Sequence, residues 1–322
     1  MLRALPDPPP EHARPGPISI GLAPRLKRVL RPLGLRLGSF RVHEPRPVEY
    51  DPVPRVGRAG LPSIAVVTPS FDQAPYLART IESVLGQGYP RLSYKVLDNA
   101  STDGSREILA SIDDPRFSWV SRPDGGQADA INKGLEGSDA QVMGWLNADD
   151  LYTPGALLAA GAFLRDHPGV DVVYGHRIVI DEHDREVGRW ILPRHRAGAL
   201  LWRDYIPQET MLWRRSVWER AGGLDPSYRF ALDWEFVVRL HALGARFARL
   251  PRFQGAFRTH RAQKSLAIRA RVGEPEFERV RASIASSRLG ARAGGAAYLA
   301  QSVGWTWAWH LGLLRAPTTI GR

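Results

Sequence analysis

From residue 62 to residue 265, short apolar runs alternate with helix-length amphipathic stretches, and that alternation constrains the fold more tightly than any single motif. Ile64-Ala65-Val66-Val67-Thr68 reads as a buried strand, residues 75–85 as a helix and Tyr94-Lys95-Val96-Leu97 as a second strand. A helix over 105–112, a strand over 117–120, a helix over 126–135 and a strand over 141–146 continue the pattern. Strands separated by helices imply an α/β fold: a mostly parallel central sheet with helices on both faces. In such sheets, ligands bind beyond the carboxyl ends of the strands.

The polar residues fall where that rule needs them. The first strand runs into Thr68-Pro69-Ser70-Phe71-Asp72, the second into Asp98-Asn99-Ala100-Ser101-Thr102-Asp103-Gly104, and the strand at 141–146 into Asn147-Ala148-Asp149-Asp150. Three strand ends thus place carboxylates on one rim. Adjacent acids after an apolar strand focus negative charge on one point, which suits a divalent cation carrying a diphosphate. A dehydrogenase-type nucleotide fold is disfavoured, because Pro69-Ser70-Phe71 stands where its glycine fingerprint would lie. No P-loop pattern is present either. A bound nucleotide would therefore be held through a metal and side chains.

Composition narrows the setting. A chain of 322 residues with 43% hydrophobic and 24% charged residues is ordinary for a folded, mostly soluble protein. With no cysteine it has no disulfide framework and no thiolate metal site, so any metal sits among oxygens or imidazoles. The net charge of +11 favours anionic partners. No signal-peptide pattern is visible in residues 1–60, so the catalytic part is expected on the cytoplasmic side.

Pro69-Ser70-Phe71-Asp72, the segment from Asp98 to Gly104, the run DGGQADAINKG at 124–134, Asn147 to Asp150, and Ala231-Leu232-Asp233-Trp234-Glu235 together resemble the successive motifs of family 2 glycosyltransferases of GT-A fold. The resemblance covers about two thirds of the chain, and five motifs in order are far more specific than an acid pair alone. It implies an enzyme that moves a sugar from a nucleotide-diphosphate sugar, with UDP the expected nucleotide. The acceptor would be a hydroxyl on a saccharide or lipid-linked saccharide, in cell-surface polysaccharide or glycolipid synthesis. Mn2+ or Mg2+ is the implied cofactor.

The same resemblance assigns roles. Asp98 matches the aspartate that accepts from the nucleotide base, although turn chemistry would also explain it. Pro69 and Phe71 border the base, or Phe71 packs in its loop. Asp129 borders the nucleotide on a helix whose first turn favours negative charge. Asp149 and Asp150 fall on the metal and ribose positions, with Asn147 where many relatives carry a first aspartate. Adjacent side chains diverge along a strand, so one acid at most binds metal directly. A helix N-cap ahead of Pro154 is the alternative for Asp150. His176 stands where many relatives carry an acid and is as readily structural. Gln208 lies near the reaction centre on an acceptor-side strand, while Trp202, Trp213 and Trp218 either stack on sugars or pack.

Asp233 is the candidate catalytic base of an inverting transfer, held on a helix within reach of the acceptor hydroxyl. Glu235 lies about 200° further round that helix, so the two cannot face one hydroxyl. In a late loop, His260 could ligate the metal, and Arg258 or Lys264 could neutralise phosphate.

The chain thus divides into a Pro/Arg-rich basic tail at 1–61, a catalytic domain at 62–265 and a helical, aromatic-rich segment at 266–322. A short basic helix at 24–31 either lies on an anionic membrane surface or is solvated. The tryptophan-rich stretch 298–311 either anchors in the plane of a membrane or packs on the domain or a second subunit. A cytoplasmic protein in peripheral contact with the inner membrane face is the expectation. Nucleic acid is not an expected partner, because no recognition motif accompanies the charge. The contrasting reading is a catalytically silent scaffold or carbohydrate-binding partner in polysaccharide assembly, against which the acids at the key positions argue.

Overall fold

The structure, a computed structural model, describes residues 43–201, 203–260, 263, 269–284 and 288–310. The expected basic helix at 24–31, and with it Trp202 and Lys264, lies outside the described residues.

The amino-terminal half follows the expected alternation: β1 (Ile64–Ser70), α1 (Ala74–Leu85), β2 (Leu92–Asp98), α2 (Ser105–Ala110), β3 (Phe117–Ser121), α3 (Gln127–Leu135) and β4 (Val142–Trp145). These four strands are parallel, in the order β3-β2-β1-β4. The pleat sends alternate side chains of β1 to opposite faces, and both faces are covered. Ala65 and Val67 join Ile131 of α3 in one core, whereas Ile64 and Val66 join Leu77 and Ile81 of α1 in the other.

Beyond β4 come β5 (Leu151–Tyr152), α4 (Ala156–Asp166), β6 (Val172–Ile180), β7 (Glu186–Trp190), α5 (Ala197–Leu200), β8 (Leu212–Arg214), α6 (Arg215–Ala221), α7 (Leu232–Ala242) and β9 (Phe247–Arg258). Here the sheet becomes mixed: β8 is antiparallel to β4 and β6, β9 is parallel to β6, and β5 and β7 are antiparallel to β9 and β6. Only the first half of the sheet is therefore purely parallel. The acceptor-side strand expected around Gln208 is shorter than its motif, because residues 208–210 form a single 3-10 turn ahead of β8.

Both flanking segments are tied to this body. Residues 43–61, assigned from sequence to the tail, run along it: Arg46 and Glu186 exchange backbone hydrogen bonds at 3.0 and 2.7 Å and pair through their side chains at 2.7 Å. Asp51 accepts the Phe253 backbone N–H at 2.9 Å. At the other end, α8 (Glu274–Ser283) and α9 (Arg288–His310) pack on the domain, with Val280 and Tyr298 in its main core. Ser302 of α9 donates to the Ile191 carbonyl and accepts from the Trp190 indole. Trp305 and Trp309 pack on the cluster of Leu151, Ile178 and Phe253. Of the two readings of this aromatic stretch, the helix takes the packed one at those tryptophans. No helix among the described residues is long and apolar enough to cross a membrane.

Gly175 lies at a shift in the β6–β9 register between Tyr174 and His176. A Cβ there would lie 2.7 Å from the Arg252 carbonyl oxygen and collide with the Gln254 side chain. Backbone inside a sheet cannot yield as a side-chain tip can, so Gly175→Ala should destabilise by about 1–3 kcal/mol. Urea denaturation should show a lower midpoint with an unchanged slope; an unchanged midpoint would mean that the strands separate freely here.

Candidate active site

At the carboxyl ends of β1 and β4, a cavity of about 690 Å³ opens between the two halves of the sheet. That volume suits a ligand of nucleotide-sugar size. Its walls include Pro69 near the end of β1, Phe71 and Asp72 just after it, Asn99 after β2, Asp124 before α3 and Gln127 at its start, and Asn147, Asp149 and Asp150 after β4. Arg177 of β6, then Asp204, Gln208 and Glu209, line the far side with Phe230 and Asp233 at the start of α7, His260, Gln263 and Phe277.

The turn carrying the acid pair is pinned from every side. The Thr80 hydroxyl contacts the carbonyls of Ala148 and Asp150 at 2.8 and 2.9 Å. Gln127 donates to Asn147 Oδ1 at 2.8 Å, and Asn147 Nδ2 donates to Asp150 Oδ2 at 3.3 Å. Asp150 Oδ1 accepts the Arg258 backbone N–H at 3.0 Å. The two carboxylates consequently diverge. Asp150 turns inward and is 1% exposed; its burial first, then the charges of Asp149 and Glu209, push its pKa well above the ordinary carboxylate range. Asp149 keeps Oδ2 at 3.0 Å from His260 Nε2. The capping role considered for Asp150 does not arise, since Gly155 occupies the N-cap of α4.

In the cavity wall, a carboxylate oxygen of Asp149 and an imidazole nitrogen of His260 converge, a donor set that suits a divalent cation. Among the described residues no group of three or more acidic, histidine or cysteine side chains meets at a point. The protein would thus supply part of a coordination shell, leaving positions to ligand oxygens and water.

Several other residues singled out from sequence are brought elsewhere. Asp98 does not line the cavity. It is 1% exposed and accepts Ser101 N–H, Ser101 Oγ–H and Ser121 Oγ–H at 3.0, 2.5 and 2.6 Å, so its carboxylate is consumed by the turn. Asp129 accepts from Lys133 at 2.6 Å and from Gly125 N–H at 2.7 Å outside the cavity wall. Glu235 is paired through both oxygens with Arg239 at 2.7 and 2.8 Å.

Arg258 is not a free cation for phosphate: at 1% exposure it donates to the Asp149 and Asp181 carbonyls and pairs with Asp184. His176 is buried, accepts Leu192 N–H at 3.0 Å, and is pushed down to about 3 by that burial and by Arg249. Trp213 and Trp218 stack 5.7 Å apart within the core.

Other wall residues drew no attention in the sequence. Glu209 and Arg177 form a buried two-bond ion pair at 2.7 and 2.6 Å, with the guanidinium 4.4 Å from the Phe257 ring centre. Asp204 faces Asp233; burial, followed by that neighbouring charge, raises its pKa well above the usual range. The polar run Asp204-Tyr205-Ile206-Pro207-Gln208-Glu209 ahead of an apolar strand repeats the pattern of the other strand-end motifs and could have flagged both acids. Phe277 lies on a remote helix and had no local signal.

Two features give the cavity its chemistry. Asp72, Asp124, Asp149, Asp150, Asp204, Glu209 and Asp233 line it, whereas Arg177, already paired, is its one described arginine or lysine. Ser70 Oγ, Trp145 Nε1, Gln208 Oε1 and Gln263 Oε1 are buried in residues of the wall and find no partner in the protein. Buried polar atoms left unpaired are costly, so these atoms leave hydrogen-bonding capacity for water or a bound ligand to fill.

A model of the family described as "Glycosyl transferase family 2" matches residues 65–225, half of the chain. Similar proteins include an uncharacterized glycosyltransferase of Mycobacterium tuberculosis, 28% identical over 184 residues spanning 55% of this chain and 68% of that protein. A PGL/p-HBAD biosynthesis glycosyltransferase of Mycobacterium bovis is 28% identical over 183 residues, covering 55% and 69%. Among solved structures, Staphylococcus aureus TarS in complex with UDP-GlcNAc superposes with a TM-score of 0.59 at 18% identity, covering 79% of this chain and 74% of that one. Mannosyltransferase PcManGT from Pyrobaculum calidifontis, in complex with GDP-Man and Mn2+, gives 0.51 at 19% identity over 92% and 89%. The shared architecture is the GT-A fold.

Because the folded pKa of Asp204 lies above its unfolded value, the native state holds the proton more tightly. The stability it contributes is present at acid pH and is lost as pH rises from about 4 toward the folded value. Asp204→Asn removes that loss. The melting-temperature difference, variant minus wild type, should therefore grow between pH 4 and pH 7.5 in scanning fluorimetry, and a difference independent of pH would contradict a raised pKa.

Proposed function

We propose that this chain, which belongs to glycosyl transferase family 2 and is a glycosyltransferase, carries out a metal-assisted inverting transfer of a sugar from a UDP-sugar to an acceptor hydroxyl in polysaccharide or glycolipid synthesis. The observation that carries the reading is the acidity of the cavity: seven acidic side chains, two of them with strongly raised pKa, line a site whose one described guanidinium is already paired. A diphosphate is repelled by such a wall unless a cation accompanies it. The complex of a structural neighbour with GDP-Man and Mn2+ and that of another with UDP-GlcNAc support nucleotide-sugar chemistry on this fold. UDP is proposed over GDP on the family resemblance.

Asp149 and His260 would hold the cation, Mn2+ or Mg2+, on the rim next to the pinned acid turn. When bound, it supplies positive charge to the departing diphosphate. Asp150, buried and engaged by Arg258 and Asn147, keeps that rim in shape rather than reaching the metal. Pro69, Phe71 and Asn99 border the nucleotide base; Phe71, 59% exposed at the mouth, offers a ring face for stacking. Asp98 supports this edge from beneath through Ser101 and Ser121.

Across the cavity, Asp233 accepts the acceptor hydroxyl's proton as the oxygen attacks the anomeric carbon and the nucleoside diphosphate leaves. Asp204 stands beside it, its pKa raised by burial and by the charge of Asp233, and when protonated can donate to the sugar or acceptor. Gln208 Oε1 and Trp145 Nε1 complete the hydrogen bonds of the bound sugar. The working catalytic unit then extends beyond residues 62–265 to the strap at 43–61 and to α8.

Scanning fluorimetry with UDP and with GDP, each with and without MnCl2, tests the donor half. UDP should stabilise only with the metal, by about 2.7 kcal/mol at a hundredfold excess over its dissociation constant, and Asp149→Ala should abolish the effect. Asp233→Asn should keep that stabilisation while lowering kcat roughly 10²- to 10⁴-fold. Metal-independent binding, or an active Asp233→Asn enzyme, would overturn the mechanism.

A further inference from the structure

We infer that Glu276, on a helix beyond the stretch matched by the family, is a positioning residue that sets where Asp233 stands. Its carboxylate accepts three successive backbone N–H groups, those of Arg229 at 2.8 Å, Phe230 at 2.8 Å and Ala231 at 2.9 Å. Ala231 is the N-cap of α7, and Asp233 is the second residue of that helix. Consecutive amides curled around one point form a concavity for an anion, and the positive end of α7 lies beside it. Glu276 is 6% exposed. A carboxylate so buried is tolerable because its hydrogen bonds replace the water it gives up.

The contact between α8 and this loop leaves little slack. A Cβ at Gly273, immediately before α8, would lie 2.8 Å from the Phe230 ring. Phe277, next to Glu276, meets Phe230 edge-on at 5.6 Å and Trp234 at 5.7 Å. Phe230, Asp233 and Phe277 all line the cavity. The carboxylate clamp and the aromatic wall therefore move together with the start of α7. Displacing a reacting group by about 1 Å can cost roughly 10²-fold in rate, so a group that fixes the start of this helix bears on chemistry without touching substrate.

Glutamine at 276 keeps the size but presents an NH2 group to amide donors, so part of the clamp must open. The inference rests on Asp233 as the base, and the test separates the two. Full-length wild type, Glu276→Gln and Asp233→Asn are compared by hydrogen exchange at amides 229–231, by UDP binding with MnCl2, and by nucleoside diphosphate release from UDP-GlcNAc and GDP-mannose. In Glu276→Gln the three amides should exchange faster, UDP affinity and donor KM should stay within twofold of wild type, and kcat should fall roughly tenfold or more.

Unchanged exchange, an unchanged kcat, or a joint loss of melting temperature and UDP binding would overturn the positioning role. Full turnover by Asp233→Asn would instead remove the base assignment, whatever Glu276→Gln does.

Discussion

The buried guanidinium of Arg258 joins three parts of the molecule that are far apart in sequence. It donates to the carbonyl of Asp149 in the acid turn and to that of Asp181 at the end of β6, and it pairs with Asp184 in the turn before β7. Its own backbone N–H goes to the Asp150 carboxylate, and its plane lies 4.8 Å from the Tyr76 ring on α1. A buried cation is stable only while its partners stay in place. Its geometry therefore ties the acid turn after β4 to the β6–β9 half of the sheet. Asp149 and His260 can converge because β9 delivers Arg258 and His260 together, two residues apart, against a turn already held by Thr80 and Gln127.

The protein as a whole carries a formal charge of +11, yet its cavity is walled by acids. The global charge favours the approach of anions toward the surface, but the acidic wall opposes an unaccompanied diphosphate. Arg177 does not relieve this, because Glu209 pairs with its Nε and Nη2 and offsets its charge. The ion pair braces the 208–210 turn against β6 and leaves Gln208 facing the cavity with one oxygen free. Acidic side chains and unpaired polar atoms thus share one wall, the pairing on which the proposed metal-assisted transfer rests.

The parallel half of the sheet was legible because β1, β2 and β4 are apolar runs bounded by turn residues, and their ends carry the acids that the carboxyl-edge rule picks out. The other half was not. β9 contains Arg249, Pro251, Arg252 and Gln254, a composition that suggests a loop, and it is a strand because β5 and β6 pair with it on both sides. β5, with two residues, is too short for any periodicity. Asp149, Asp233 and His260 could be placed at the cavity from motifs because that placement depends on where a strand or helix begins or ends. Arg258, Asp98 and Glu235 could not be placed, because a charged side chain looks the same in sequence whether it faces a ligand or a buried partner. In all three the structure shows a partner within the protein: carbonyls for Arg258, serines for Asp98 and Arg239 for Glu235.

The same distinction bears on the ends of the chain. Residues 43–61 are rich in proline and arginine, which argues for a solvated tail, but Arg46 finds Glu186 and Asp51 finds the backbone of β9. In α9, Trp309 lies edge-on to Phe253 and over Arg189, whose guanidinium also sits 4.6 Å from the Phe253 ring. Indole area spent on this cluster is not available to a bilayer, so a membrane-bound acceptor would have to be met by other parts of the surface. The two straps close on the β6–β7–β9 region from opposite ends of the sequence, and that region carries Arg258. Packing at the flanks and the rim of the cavity therefore share the same three strands, so the folded body extends past the limits of the motifs.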